Sequence, residues 1–371
     1  MILNPPKISG RSEGIDLMRS VCALAVLLFA HLIFWSDLVH QDVPSNLLVV
    51  GRALIFIFQK HGELNPFVLA FIVLSGYCIH RNGLRSRVGI KQFLIRRFFR
   101  IVPVFFLATV LGMYLFGVSV NIDARLASIL TGTSEIKGEC LAAKLLLIPA
   151  LLPVAHPCDF LGNAPSLTVM VELVLYIFYA LIFWRVSRYW LEGILIISVV
   201  AGIVFSANNT KYPILYNWWQ NSSALAFLPY WWAGAAAIVP SYRKLIKKHS
   251  IGIFCTWVIL SFFANLADSA VAAELRKFVF AILIAGLVIR LDEASIPVNP
   301  LSMLGRTGYS LYAIHAPLCV IFLLWGFGWW QTLIVTVVCG IGCYLMFERP
   351  FDKFGRKITE QHLVINSKNE A

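Results

Sequence analysis

Four places along the chain carry side chains able to do chemistry within an apolar setting. His31 follows Arg19 by twelve positions in the first apolar stretch, about 18 Å along a helix at 1.5 Å per residue. With Arg19 at the mouth of a span, His31 lies past the midplane. An imidazole takes up a proton near neutral pH, so His31 reads as a general base. A histidine bonded to a neighbouring helix is the plainer reading. Arg96, Arg97 and Arg100 lie in the run Lys91–Pro103, with Arg96 and Arg100 on one helical face. Their forked guanidiniums suit phosphates, and they equally suit topology-setting charges that snorkel to membrane lipid headgroups. Glu172 has Tyr176 four residues on; a carboxyl inside a span must be hydrated, paired or protonated. His315 lies three residues after Tyr312 in Gly305–Pro317, and a second buried histidine points to a polar cavity.

These residues need elements to hold them, and composition says which. The 371 residues are 59% hydrophobic and 13% charged, with a mean hydropathy of +0.78, whereas soluble chains carry nearer a quarter charged residues. Soluble enzymes, disordered chains, coiled coils and disulfide scaffolds are excluded. The expected fold is an all-α, polytopic membrane bundle of about ten helices, near 17–37, 66–80, 101–120, 166–184, 193–207, 224–240, 251–267, 277–291, 307–326 and 329–347. Leu47–Phe58 and Leu141–Ala155 read as interfacial or re-entrant pieces. No small-residue cleavage site follows Ile15–Trp35, so that stretch is expected to remain as the first helix.

With both termini cytoplasmic, 23 of the 31 Lys and Arg fall inside and eight outside, Arg276 and Lys277 among the eight. This asymmetry supports the orientation. The net charge of +12 is then a topology signal, and no nucleic-acid partner is expected because no basic module stands clear of the apolar segments. Six cysteines lie in or beside spans, where Cys acts as a small apolar residue. Cys140 and Cys158 share an outer loop and are able to pair in an oxidising compartment. No Cys-x-x-Cys or His-x-x-x-His spacing occurs, and no metal is expected. Residues 1–355 read as one transmembrane domain and 356–371 as a short polar cytoplasmic tail.

The order of these pieces resembles the acyltransferase-3 family of inner-membrane proteins that acylate cell-surface glycans. The carriers are Asp16-Leu-Met-Arg19 through His31, Phe71-Ile-Val-Leu-Ser75-Gly76-Tyr77, Arg96-Arg97-x-x-Arg100-Ile-x-Pro103, Gly305 to Pro317, and Phe347-Glu348-Arg349-Pro350. Together they span about residues 11–355 in matching order. Two departures stand out. Eleven residues separate Arg19 from His31 where the family usually has ten, which turns His31 by about 100° unless a π-bulge absorbs the extra position. The tryptophan usual before the Glu172 element is absent from Leu167-Thr168-Val-Met-Val-Glu172.

The resemblance implies an acyltransferase of the bacterial inner (plasma) membrane that uses cytoplasmic acyl-CoA, acetyl-CoA in the simplest case, as donor. It implies a hydroxyl of an extracytoplasmic or lipid-linked glycan as acceptor. Arg96, Arg97 and Arg100, with Arg19, would hold the donor's phosphates. His31 would act as base or as an acyl-histidine relay, with Glu172 and His315 in support. Tyr309 or Tyr312 with Ser75 would donate to the oxyanion. The competing class is a proton-coupled exporter of a small organic acid or modified sugar; the lack of an internal half-repeat and the placing of the arginines at one mouth argue against it.

Overall fold

The computed structural model of the protein describes residues 12–61, 64–85, 89–131, 135–153, 160–182 and 188–369, and among them there is no strand. Apolar segments of this length pair their backbone groups internally as helices. In chain order these are α1 (Glu13–Leu38), α2 (Ser45–Phe58), α3 (Pro66–Arg85), α4 (Ile90–Thr131), α5 (Gly138–Leu145), α6 (Pro165–Ile182), α7 (Arg188–Ala207), α8 (Pro213–Asn221), α9 (Ala224–Ala236), α10 (Pro240–Lys248), α11 (Ser250–Asn265), α12 (Ala270–Glu293), α13 (Pro300–Leu304), α14 (Gly308–Leu324), α15 (Trp329–Cys343) and α16 (Arg349–Asn369). Five of them open on a proline, whose missing N–H has no helical partner at that position. Ser223 and Ser269 cap α9 and α12 by accepting from Ala226 and Ala272 N–H groups.

The fold is an all-α membrane helix bundle. Each of the ten expected stretches corresponds to a helix, but among the described residues length and apolarity alone suffice for crossing in three: Glu13–Leu38, Ile90–Thr131 and Trp329–Glu360. A fourth is added if Pro213–Ala236 and Pro240–Lys248, which meet at 94°, count as one broken span. The others, such as Gly308–Leu324 and Ser250–Asn265, are shorter apolar helices. Helix α4 is interrupted at Asp123, whose backbone is extended (φ −152°, ψ 99°) and whose carboxylate accepts from Leu126 N–H at 2.9 Å, restarting the helix as an N-cap does.

The chain divides into two compact units. The first comprises Met1–Val26, Ser45–Arg87 and Arg188–Arg306. Here α3 and α9 cross through small residues: a Cβ on Gly76 would lie 1.9 Å from the Trp231 carbonyl oxygen, and one on Gly234 would lie 1.9 Å from that of Val73. Backbone contact of this kind is how helices associate where no hydrophobic effect drives them together. Gly305 meets the Asp16 carbonyl in the same manner.

This unit also overturns one expectation. Arg276 and Lys277 are not in an outer loop, because α12 starts at Ala270 and both side chains are buried inside it. Lys277 pairs with Glu274 at 2.6 Å and donates to Gln220. Gln220 and Tyr230 donate to Glu274 at 2.9 and 3.1 Å, while Arg276 donates to Asn265 at 3.0 Å. Partners from other helices make burial of these charges tolerable, and the charge pattern along one segment does not reveal them.

The second unit comprises Leu27–Pro44, Val88–Ser187 and Thr307–Ala371. Its core sets Val104, Ala108 and Leu115 of α4 against Ala313, Ile314, Leu318 and Ile321 of α14, with Cys343 of α15. Gly340 of α15 lies against Leu311, and Gly355 of α16 against Phe99. The last segment is therefore a packed helix at least as far as Thr359, which accepts from Arg96 at 2.8 Å. Cys140 is disulfide-bonded, six other cysteines are free, and Cys158 lies outside the described residues.

Candidate active site

The second unit brings His31 and His315 together. His315 Nε2 and His31 Nδ1 are 3.1 Å apart, and the ring centroids are 5.0 Å apart. The other ring nitrogen of His315, Nδ1, lies 2.8 Å from the Tyr312 carbonyl oxygen. A carbonyl only accepts, so the proton of neutral His315 must be on Nδ1 and its Nε2 must hold a lone pair. That lone pair accepts from His31 Nδ1–H, which places the basic lone pair of His31 on Nε2. The tautomers follow from the partners, as in any structure without visible hydrogens. His315 is 1% exposed, and Trp35, with its ring centroid 4.5 Å from that of His31, walls the second face.

His31 rides on a π-helical turn, Leu27–Leu32, in the middle of α1. Of the two outcomes the Arg19–His31 spacing leaves open, a π turn in this stretch is the one that absorbs an additional residue. A second π turn, Tyr344–Glu348, delivers Glu348 between α15 and α16. Glu348 is buried, accepts from Ser310 at 2.7 Å and pairs with Arg100 at 3.7 Å. Such turns cluster at functional positions because they re-aim a side chain without breaking the helix.

From the histidines a polar ladder runs along α6. Tyr312 donates to Thr168 at 3.0 Å. Thr168, Glu172 and Tyr176 are spaced i, i+4 on one face, covering about 12 Å of helix at 1.5 Å per residue. Tyr176 donates to Glu172. Beyond it, the Arg97 guanidinium lies over the Tyr176 and Phe93 rings, 5.7 and 5.5 Å from their centroids. Each expected arginine of α4 thus has its own local partner: Arg96 has Thr359, Arg97 the two rings and Arg100 Glu348.

The remaining expected residues are placed differently. Tyr309 donates to the Ile101 carbonyl at 3.0 Å, an orienting bond between α14 and α4. Ser75 and Arg19 belong to the first unit. There Ser75 accepts from Trp231 Nε1 at 3.3 Å, beside the close approach at Gly76. Arg19 pairs with Asp16 at 2.9 Å and reaches Cys78 Sγ at 3.0 Å.

Asn163 was not singled out from the sequence. It is fully buried just before α6, and its Nδ2 donates to the carbonyls of Ala108 at 3.0 Å and Ala313 at 2.8 Å. Pro317 has no N–H to give the carbonyl four residues earlier, and that carbonyl is Ala313's. Asn163 therefore supplies the donor that Pro317 removes, two residues from His315. The signal was in the sequence, in the pairing of an intramembrane proline with an orphaned carbonyl, but the partner's position was not.

Within the second unit, then, an imidazole held by a second imidazole stands at one end of a polar ladder that has an arginine at the other. The model of the acyltransferase-domain family (acyltransferase 3) matches residues 12–348. The chain belongs to that family and is a membrane acyltransferase. No curated protein and no solved structure matches the chain.

Proposed function

We propose that the protein transfers an acyl group, acetyl in the simplest case, from cytoplasmic acyl-CoA to a hydroxyl of an extracytoplasmic or lipid-linked glycan, as a multi-pass protein of the bacterial inner membrane. The observation that carries the reading is the hydrogen bond between His315 Nε2 and His31 Nδ1, 3.1 Å long, which directs the basic lone pair of His31 to Nε2.

In this reading His31 Nε2 takes the acceptor hydroxyl's proton as its oxygen attacks the thioester carbonyl. The C–O bond forms, the C–S bond breaks, and the proton passes from His31 to the departing thiolate, giving free CoA. His315 holds the imidazolium through Nε2, and the Tyr312 carbonyl holds His315. The ladder Thr168–Glu172–Tyr176 offers hydroxyl and carboxyl contacts along the donor's arm, and Arg97 with Arg96 and Arg100 supplies positive charge for its phosphates. Tyr309 carries no chemical step here, since its hydroxyl proton is given to the Ile101 carbonyl; Ser75, which accepts from Trp231, is assigned none. Positioned proton transfer contributes roughly 10²–10⁴-fold, so His31→Gln should lose at least that much turnover while still binding acetyl-CoA.

The test is acetyl-CoA binding and acyl transfer by the purified protein in nanodiscs, for the wild type, His31→Gln and Arg96→Gln/Arg97→Gln/Arg100→Gln. Donor binding lost only in the arginine variant, with transfer lost in both, supports the reading. A folded His31→Gln protein with full transfer refutes the mechanism. A protein that binds no acyl-CoA at all leaves the exporter as the better account.

A further inference from the structure

The first unit carries a second polar feature that acyl transfer does not use. Helix α10 turns by 94° from the helical pair that precedes it. If α9 crosses the bilayer near its normal, as spans do, α10 lies close to the membrane plane. Its sequence, Pro240-Ser-Tyr-Arg243-Lys244-Leu-Ile246-Lys247-Lys248, is that of an interfacial amphipathic helix. The charge pattern assigns this segment to the cytoplasmic side, where the leaflet is anionic.

On one flank of α10 is a cavity of about 760 Å³ lined by Arg243, Lys244, Lys247, Lys248 and Glu293. Glu293 is bridged by Arg243 at 2.7 Å and Lys247 at 2.5 Å. Four cations against one carboxylate leave a surplus of positive charge, and Lys244 and Lys248 are exposed. On the other flank is an apolar groove of about 810 Å³, with Trp232, Ala233, Leu245, Ile246 and Phe278 among its walls. A second, smaller groove shares Ile246 and Lys247 and runs along Leu283 and Gly286 to Arg290. Basic cavity and apolar grooves thus meet on a single nine-residue helix.

We infer that α10 and its flanking grooves form a binding site for one anionic glycerophospholipid, the phosphate held at Arg243, Lys244, Lys247 and Lys248 and the acyl chains laid in the grooves beside Trp232, Ile246 and Phe278. The occupant follows from complementarity. A zwitterionic headgroup leaves the surplus charge uncompensated, and a soluble phosphate leaves the grooves unfilled. Glu293 holds Arg243 and Lys247 in place, so Lys244 and Lys248 are the pair whose charge is available to the headgroup. This site is separate from the histidine site and does not depend on the reaction assigned to it.

The probe is phosphatidylglycerol against phosphatidylcholine of the same chains, titrated onto detergent-purified full-length protein and read by native mass spectrometry. Near a membrane surface each Lys contributes about a fivefold gain in anionic-lipid affinity. Lys244→Gln/Lys248→Gln should therefore lose about 25-fold in phosphatidylglycerol binding and nothing in phosphatidylcholine binding. Lys353→Gln/Lys357→Gln on α16, the same change in net charge elsewhere, should change neither. A photoactivatable phosphatidylglycerol on the unaltered protein should label peptides bearing Trp232, Ile246 or Phe278. Equal affinity for the two lipids, equal loss in both double variants, or labelling confined to other helices overturns the site. Competition by glycerol 3-phosphate as strong as by the whole lipid overturns the lipid as its ligand, and so does displacement by micromolar CoA.

Discussion

Asn163 and Pro317 form a matched pair, and their coupling can be measured. The carbonyl of Ala313 has one donor because Pro317 withholds the helical one, and that donor is Asn163 Nδ2 at 2.8 Å. Asn163→Leu keeps the branched shape and number of heavy atoms and removes the donor. A buried carbonyl left without a partner costs about 1–3 kcal/mol. The second bond, to Ala108 at 3.0 Å, adds less, since within α4 that carbonyl still faces the N–H four residues on. Part of the loss is offset because the buried Asn163 Oδ1 has no hydrogen-bond partner among the described residues, so its removal relieves a desolvation penalty. The net expectation is a destabilisation of about 1–3 kcal/mol. In a Pro317→Ala background the helix regains an N–H for Ala313, and the same Asn163→Leu change should cost at least about 1 kcal/mol less, within the range for contacting residues. The assay is a double-mutant cycle by reversible denaturation in detergent, with acyl transfer followed in parallel. Because Ala313 is two residues from His315, Asn163→Leu should also lower kcat. An identical loss of stability in both backgrounds would refute the assignment of Asn163 as the donor that Pro317 lacks.

Three further outcomes are expected. His315→Gln should lower transfer by about 10²-fold or more while donor affinity holds, because the His31 tautomer is no longer fixed; a variant with normal turnover would return His315 to packing. Glu348→Ala should destabilise more than Glu348→Gln, since the amide can still accept from Ser310 while the alanine leaves that hydroxyl and Arg100 without it; equal thermal unfolding of the two would contradict this. Gly76→Ala should destabilise by more than the roughly 1–3 kcal/mol of ordinary overpacking, because the added methyl meets the Trp231 backbone at 1.9 Å and no side chain can swing away; it is read as loss of the monodisperse protein on size-exclusion chromatography.

The helices were legible because apolar runs bounded by proline, serine and charge leave few other choices. His31, Glu172 and His315 were legible as candidates because ionisable groups in such runs are rare. Their partnerships were not. His31 and His315 are 284 positions apart, and nothing in either neighbourhood names the other. Arg276 and Lys277 read as loop charges because, although Glu274 stands three residues before Lys277, the Gln220 and Asn265 contacts that bury them come from other helices, which the segment itself does not encode. Ser75 read as an oxyanion donor through the resemblance, and the structure places it beside the helix crossing at Gly76; a motif of small residues looks the same whether it admits a substrate or another backbone. Glu348 was visible only as part of a closing motif; the π turn that aims it at Arg100 and Ser310 has no signature in residue type.

The turn at Leu27–Leu32 makes chain length a variable that the site tolerates. A π turn stores one residue as a local widening, so the helix on either side keeps the facing it would have in a chain one residue shorter. Removing a single residue from Leu27–Ala30 should then let the turn relax to ordinary α-helix, with the imidazole still directed at His315 and only the bulge gone. Removing one from Ser20–Val26, in regular helix, leaves no such slack unless the bulge migrates to absorb it. Insertions and deletions are usually pictured as confined to loops; here the π turn that carries His31, inside a helix, is the place where a one-residue change in length should be absorbed.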